Sequence, residues 1–119
     1  MIFSKKLVRT ALSVYWTLCF ILTHISIPKE VPVEEGSDKI LHLLGYTALA
    51  FIFDWHSRVS KFSIKAWRGI LLLALYGAFD EWTQGFFGRD PDRMDWATDV
   101  GGILLGTMLS YRVWRRVSG

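Results

Sequence analysis

The chain has 119 residues, 51% of them hydrophobic, a mean hydropathy of +0.27 and a formal net charge of +3. So much apolar surface excludes an ordinary monomeric soluble domain and favours a membrane solvent, with room for about four spans of ~20 residues and little else. The basic residues sit at the ends of apolar runs rather than on one soluble face, so nucleic acid is not an expected partner and topology explains the charge.

The first apolar run covers about residues 7–27 and follows Lys5, Lys6 and Arg9. It is longer than the apolar core of a signal peptide, and no A-x-A-like site follows it. Leu18 before Cys19 also argues against a lipoprotein site, so a retained signal-anchor helix is expected. Cys19 is the only cysteine, which excludes a disulfide framework. Pro28 and Pro32 then interrupt the chain. The second run is 40–55, the third begins at Ile64 and its helix is expected to reach 82, and the fourth is 96–113. The sequence Asp90-Pro91-Asp92 marks a turn before the fourth run. The apolar stretches of the second and third runs are only ~24 Å long at 1.5 Å per residue, so their polar flanks must lie near the interface. The expected fold is all-α: a small polytopic membrane protein, one domain over 1–119, with four transmembrane helices and a polar cluster at the outer end.

Charge gives the orientation. With the N-terminus inside, the inner segments hold Lys5, Lys6, Arg9, Arg58, Lys61, Lys65, Arg68, Arg112, Arg115 and Arg116, ten of the fourteen basic residues. The outer segments hold Lys29, Lys39, Arg89 and Arg93, and of the eleven acidic residues only Asp54 is inside. The positive-inside rule therefore puts both termini in the cytoplasm. Trp55, Trp67, Trp82, Trp96 and Trp114 fall at expected interfaces, and Trp16 falls mid-span.

The polar residues share one end. Asp38, His42 and Tyr46 are spaced i, i+4, i+8 and stack on one helix face, with Lys39 beside them. Tyr76, Asp80 and Gln84 repeat that spacing on the third helix, with Glu81 adjacent. On the fourth, Asp95 and Asp99 lead into Gly102 and Gly106, a small-residue stripe that permits close helix contact. Asp38 and Asp95 open helices, where the dipole favours carboxylates, but Asp80 and Glu81 close one, where it does not. His42 and Asp99 lie a turn inside a span, where an ionisable group normally has a partner or a function. With Arg89 from the outer loop the set carries five carboxylates and two fixed cations, so protonation, a metal or a cationic ligand is needed to balance it. No H-E-x-x-H-like spacing falls within one helix, so neither metal nor cofactor is expected. His42, Glu81, Arg89 and Asp99 are expected to converge in space.

These stretches resemble the VanZ-like membrane protein family: Asp38-Lys39-x-x-His42-x-x-x-Tyr46, Asp80-Glu81-x-x-Gln84, Gly88-Arg89 six residues before Asp95, and Asp95-Trp96-Ala97-Thr98-Asp99-x-x-Gly102-x-x-x-Gly106. The resemblance covers about residues 38–106 and leaves the first helix without a motif. Asp99 stands where the family commonly has Asn. The resemblance implies fold, location and site residues. It supplies no enzyme activity, although the family is named for a protein associated with teicoplanin resistance.

Two functions stay compatible with these residues. One is binding or modifying an envelope lipid or cell-wall-related ligand at the outer face. There Lys39 and Arg89 would hold a phosphate, and His42 and Glu81 are the candidate proton-transfer pair. Thr83 and Tyr46 are the nearby hydroxyls. The other is a non-catalytic module whose polar knot stabilises the bundle or docks a membrane protein partner, with a homo-oligomer among the options. A transporter would need an inverted repeat and a polar path through the inner half, and neither is legible.

Overall fold

A computed structural model describes residues 3–25, 37–60, 64–87 and 93–118, with backbone alone for Ser37, Asp38 and Arg93. These residues form four α-helices, α1 Lys5–His24, α2 Ser37–Val59, α3 Ala66–Gln84 and α4 Arg93–Ser118, with a short 3-10 turn at Gly85–Phe87 after α3. The molecule is elongated, 50 × 23 × 23 Å.

The ends of the helices follow capping chemistry rather than the limits of the apolar runs. Ser4 caps α1, its Oγ accepting from Leu7 N at 3.1 Å, so α1 begins in the basic segment before the expected start at 7. It ends at His24 rather than 27, and residues 26 and 27 lie outside the described residues. The second helix runs past the expected 40–55 at both ends. Arg58 Nε donates to Asp54 Oδ2 at 2.8 Å, an i, i+4 pair that carries the helix through its polar last turn. The third is shifted two residues later than the expected 64–82. Ser57 positions its start by accepting from Ile64 N at 2.8 Å. The fourth exceeds 96–113 at both ends, with Asp95 in its first turn and Arg115 and Arg116 in its last, as the helix dipole favours. The short second and third runs thus become helices of 23 and 19 residues, about 34 and 28 Å long.

Helices α2 and α4 pack most intimately. Gly102 and Gly106 make this possible. A Cβ on Gly102 would lie 2.7 Å from Leu43 O, and one on Gly106 would run into Thr47 O. Gly101, one residue away, faces open space. Leu12, Tyr46, Leu49, Ala50, Leu73 and Ile103 form the apolar core, with Trp16 set edge-on to Tyr76 and Phe53 at 5.1 and 6.0 Å. Val8, Trp55 and Val59 form a second cluster at the basic end, backed by Trp114. Trp55 is therefore a buried packing residue rather than the interface anchor expected of it.

The distribution of polarity is inverted. Asp80, Gln84, Asp99 and Ser110 are among the most deeply buried side chains, while Leu22, Leu41, Leu44, Leu75 and Phe86 are more than half exposed. By length and composition one helix among the described residues, α1, is apolar enough to cross a membrane. The other three carry the carboxylates that the fold turns inward, Asp54, Asp80, Glu81, Asp95 and Asp99, while Arg68, Arg112, Arg115 and Arg116 stay exposed. The half of the bundle near Asp54 is also more polar than expected, with Asp54, Ser57, Thr107 and Ser110 all buried.

The glycine contact gives a direct test. Gly102→Leu should destabilise the fold by about 1–3 kcal/mol through overpacking, whereas Gly101→Ala should be near neutral. Unfolding of the purified protein in detergent measures both, and equal effects would contradict the contact.

Candidate functional site

The polar side chains gather at one end of the bundle in two linked groups. The first joins α2 and α4. His42 Nδ1–H donates to Asp99 Oδ1 at 2.6 Å, and His42 Nε2 lies 3.9 Å from Asp95 Oδ2. Lys39 Nζ reaches Asp95 Oδ1 at 3.4 Å. His42, Asp95 and Asp99 are buried, while the Lys39 side chain is 39% exposed, so the lysine alone of these four meets the surrounding medium. The i, i+4 spacing of Asp95 and Asp99 puts both carboxylates over one imidazole, which fixes the ring. Its plane lies 4° from that of Tyr46 one turn below.

The second group joins α3 to α1 and α2. Asp80 is 1% exposed and accepts from Thr23 Oγ1 at 2.9 Å, Tyr46 OH at 3.1 Å and Gln84 Nε2 at 3.3 Å. His24 Nδ1 lies 3.5 Å from Asp80 Oδ1. A carboxylate with donors from three helices is far less costly to bury than a bare one. Tyr46 links the groups, since its ring follows His42 on α2 and its hydroxyl reaches Asp80. Gly77 brings the backbone of α3 close to Tyr46, Trp96 and Asp99 Oδ2. Trp96 Nε1 donates to Ala74 O at 3.0 Å and ties α4 to α3.

The structure thus brings together His42, Asp95, Asp99 and Lys39, and separately Tyr46, Asp80 and Gln84. Glu81 is buried and acts electrostatically on both His42 and Asp99. Of the four residues expected to converge, His42 and Asp99 are in direct hydrogen-bond contact, and Arg89 lies outside the described residues. Asp38 opens α2, but its side chain also lies outside them. Among the described residues no three His, Cys, Asp or Glu side chains are grouped to hold a metal ion.

Sequence reasoning missed the contribution of α1. Thr23 and His24 close that helix and meet Asp80 and Thr83, with His24 Nε2 2.7 Å from Thr83 Oγ1. A signal was present. A threonine and a histidine near the end of an otherwise apolar run satisfy the same rule that singled out His42.

Several buried polar atoms have no hydrogen-bond partner among the described residues, among them Trp55 Nε1, Tyr76 OH, Ser110 Oγ and an oxygen of Asp99. Asp99 is fully buried, yet its Oδ2 has no hydrogen-bond partner among the described residues. Such an atom carries a desolvation cost of about 1–3 kcal/mol or more that a purely structural contact would remove.

Comparisons with protein-family models, with curated proteins and with solved structures give no match.

The link between α1 and α3 is measurable. A double-mutant cycle of Thr23→Val with Asp80→Asn should show a coupling of about 0.6–2 kcal/mol, the range for hydrogen bonds between helices in lipid. Strict additivity of the two substitutions would mean that the contact contributes nothing to stability.

Proposed function

We propose that the chain is a VanZ-like integral membrane protein of four spans in a bacterial inner membrane, with both termini cytoplasmic. In this reading its polar end faces outward and binds the headgroup of an envelope lipid or cell-wall-related ligand. The inverted polarity supports the membrane placement, because apolar side chains cover much of the outside of α2, α3 and α4 while the carboxylates Asp54, Asp80, Glu81, Asp95 and Asp99 are turned inward. The gathering of basic residues at the opposite end supports the orientation.

One observation carries the choice of a site over a knot: the buried, unpartnered Asp99 Oδ2 beside an imidazole that two carboxylates hold in place. A group whose task was only to bind helices together would use both oxygens, as Asp80 does. Lys39 supplies a half-exposed cation at the rim, suited to a phosphate or carboxylate on the ligand. The alternative, a non-catalytic cluster that stabilises the bundle or docks a partner, draws its support from Asp80, where both carboxylate oxygens accept from neighbouring helices.

Topology is tested by cysteine substitution on a Cys19→Ser background. Cysteines at Glu34 and Asp92 should react with an impermeant thiol reagent in intact cells, and one at Lys61 should not. The reverse pattern would overturn the orientation.

Binding is tested with His42→Ala and Lys39→Ala. Both variants should accumulate in the membrane at near wild-type levels and lose lipid retained by the wild-type protein in native mass spectrometry. Loss of the protein itself in His42→Ala would instead assign that histidine to the structural knot.

A further inference from the structure

His24 and Thr83 were outside the residues expected to carry chemistry as a pair, and their geometry is that of a base beside a hydroxyl. His24 Nδ1 lies 2.7 Å from Phe20 O, and a carbonyl can only accept, so Nδ1 carries a proton. In the neutral ring Nε2 is then bare, and it lies 2.7 Å from Thr83 Oγ1. The threonine hydroxyl also lies 3.0 Å from Phe79 O and 3.1 Å from Asp80 O, but its shortest contact is with the imidazole.

The imidazole is held firmly. Phe20 stacks on it with ring centroids 4.0 Å apart, and Phe87 meets it edge-on at 5.0 Å. Asp80 Oδ1, 3.5 Å from Nδ1, is placed to favour the imidazolium that forms when Nε2 takes a proton. Thr23 Oγ1, donating to that same oxygen at 2.9 Å, fixes the carboxylate. His24 and Asp80 are buried, whereas Thr83 is half-buried, so Thr83 is the member of the group nearest the surface. Around it Phe79, Trp82 and Phe86 are exposed and apolar, a surface suited to an acyl chain.

We propose that Thr83 is a nucleophile, activated by His24 and positioned with Asp80, that accepts the acyl group of a membrane-lipid ester. In the step, Oγ1 bonds to the ester carbonyl carbon while its proton passes to His24 Nε2. The bond from that carbon to the alkoxy oxygen then breaks, and the leaving alcohol takes the proton back from Nε2–H. The acyl-threonine is released by water or by a second hydroxyl, with His24 again moving the proton. No oxidant or other co-reactant is required. The choice of a lipid ester rests on the membrane placement proposed above, whereas the activation of Thr83 rests on its own geometry.

A long-chain fluorophosphonate tests this on the full chain in detergent micelles. Attack by Oγ1 forms an O–P bond and expels fluoride, leaving a stable adduct for peptide mass spectrometry. The adduct is expected on Thr83 in the wild type and in Thr83→Ser, absent from Thr83→Val, and formed about 100-fold more slowly in His24→Gln. No adduct on Thr83 in the wild type, or equal labelling in His24→Gln, would overturn the proposal. If His24→Gln does not accumulate, the wild type and the two Thr83 variants decide the matter, because they leave the imidazole in place. Labelling of Thr83 together with unchanged lipid retention in His42→Ala would sink the headgroup site and leave this one standing.

Discussion

The burial of carboxylates inside a bundle with an apolar exterior is the constraint on which the rest depends. Asp80 and Asp99 are almost wholly withdrawn from the surface. A bare carboxylate so placed would be driven to take up a proton or to unfold its surroundings. Asp80 is stabilised by hydroxyl and amide donors from α1, α2 and its own helix, Asp99 by the imidazole of α2. Each bond between helices requires that they approach within side-chain reach at one end. The close contact of α2 and α4 through Gly102 and Gly106 provides that approach for His42 and Asp99. The glycine stripe and the polar cluster are therefore one arrangement, with the backbones drawn together in the middle and the ionic groups matched at the end.

The same constraint makes α1 a member of the bundle. Its outward face carries Leu7, Val14, Leu18, Ile21 and Leu22, and its inward face carries Leu12, Trp16, Thr23 and His24. Tyr15 adds a hydroxyl bond to Gly45 O at 2.8 Å, so α1 is tied to α2 at mid-length as well as to α3 at the end. The magnitudes of interhelical hydrogen bonds in lipid are modest, on the order of 0.6 kcal/mol on average. They set register and orientation more than they set total stability. Packing of Leu49, Leu73 and Ile103, each nearly inaccessible, supplies the larger share.

Much of this was legible in the sequence because periodicity and spacing are one-dimensional records of helix faces. The i, i+4, i+8 spacing of Asp38, His42 and Tyr46 and the Asp95–Asp99 pair signal a polar face at one end of each helix. The close contact at Gly102 and Gly106 was equally readable. Four helices followed from four apolar runs. Their limits did not, because Ser4, the Asp54–Arg58 pair and the terminal arginines extend helices through polar sequence that hydropathy treats as loop. The division of the cluster into an Asp80 group and an Asp99 group was also hidden, since it depends on how α4 packs against both α2 and α3 while α1 closes the other side. Nothing in a spacing rule reports which of two carboxylates an imidazole from another helix will meet. The role of His24 shows this most clearly. Its partner Thr83 is 59 residues away and its tautomer is set by a backbone carbonyl of its own helix.

The proposed membrane placement requires the bundle to present its apolar face to a bilayer and keep its carboxylates inside. A nitroxide scan along α3 in lipid vesicles tests it most directly, because this helix carries both a buried carboxylate and an exposed apolar face. Collisions with oxygen, which concentrates in lipid, should peak at Leu71, Leu75, Phe79 and Trp82 and reach minima at Leu73, Gly77, Asp80 and Gln84. Broad accessibility of the whole helix to a water-soluble nickel reagent, with no oxygen maxima on the apolar face, would contradict the account.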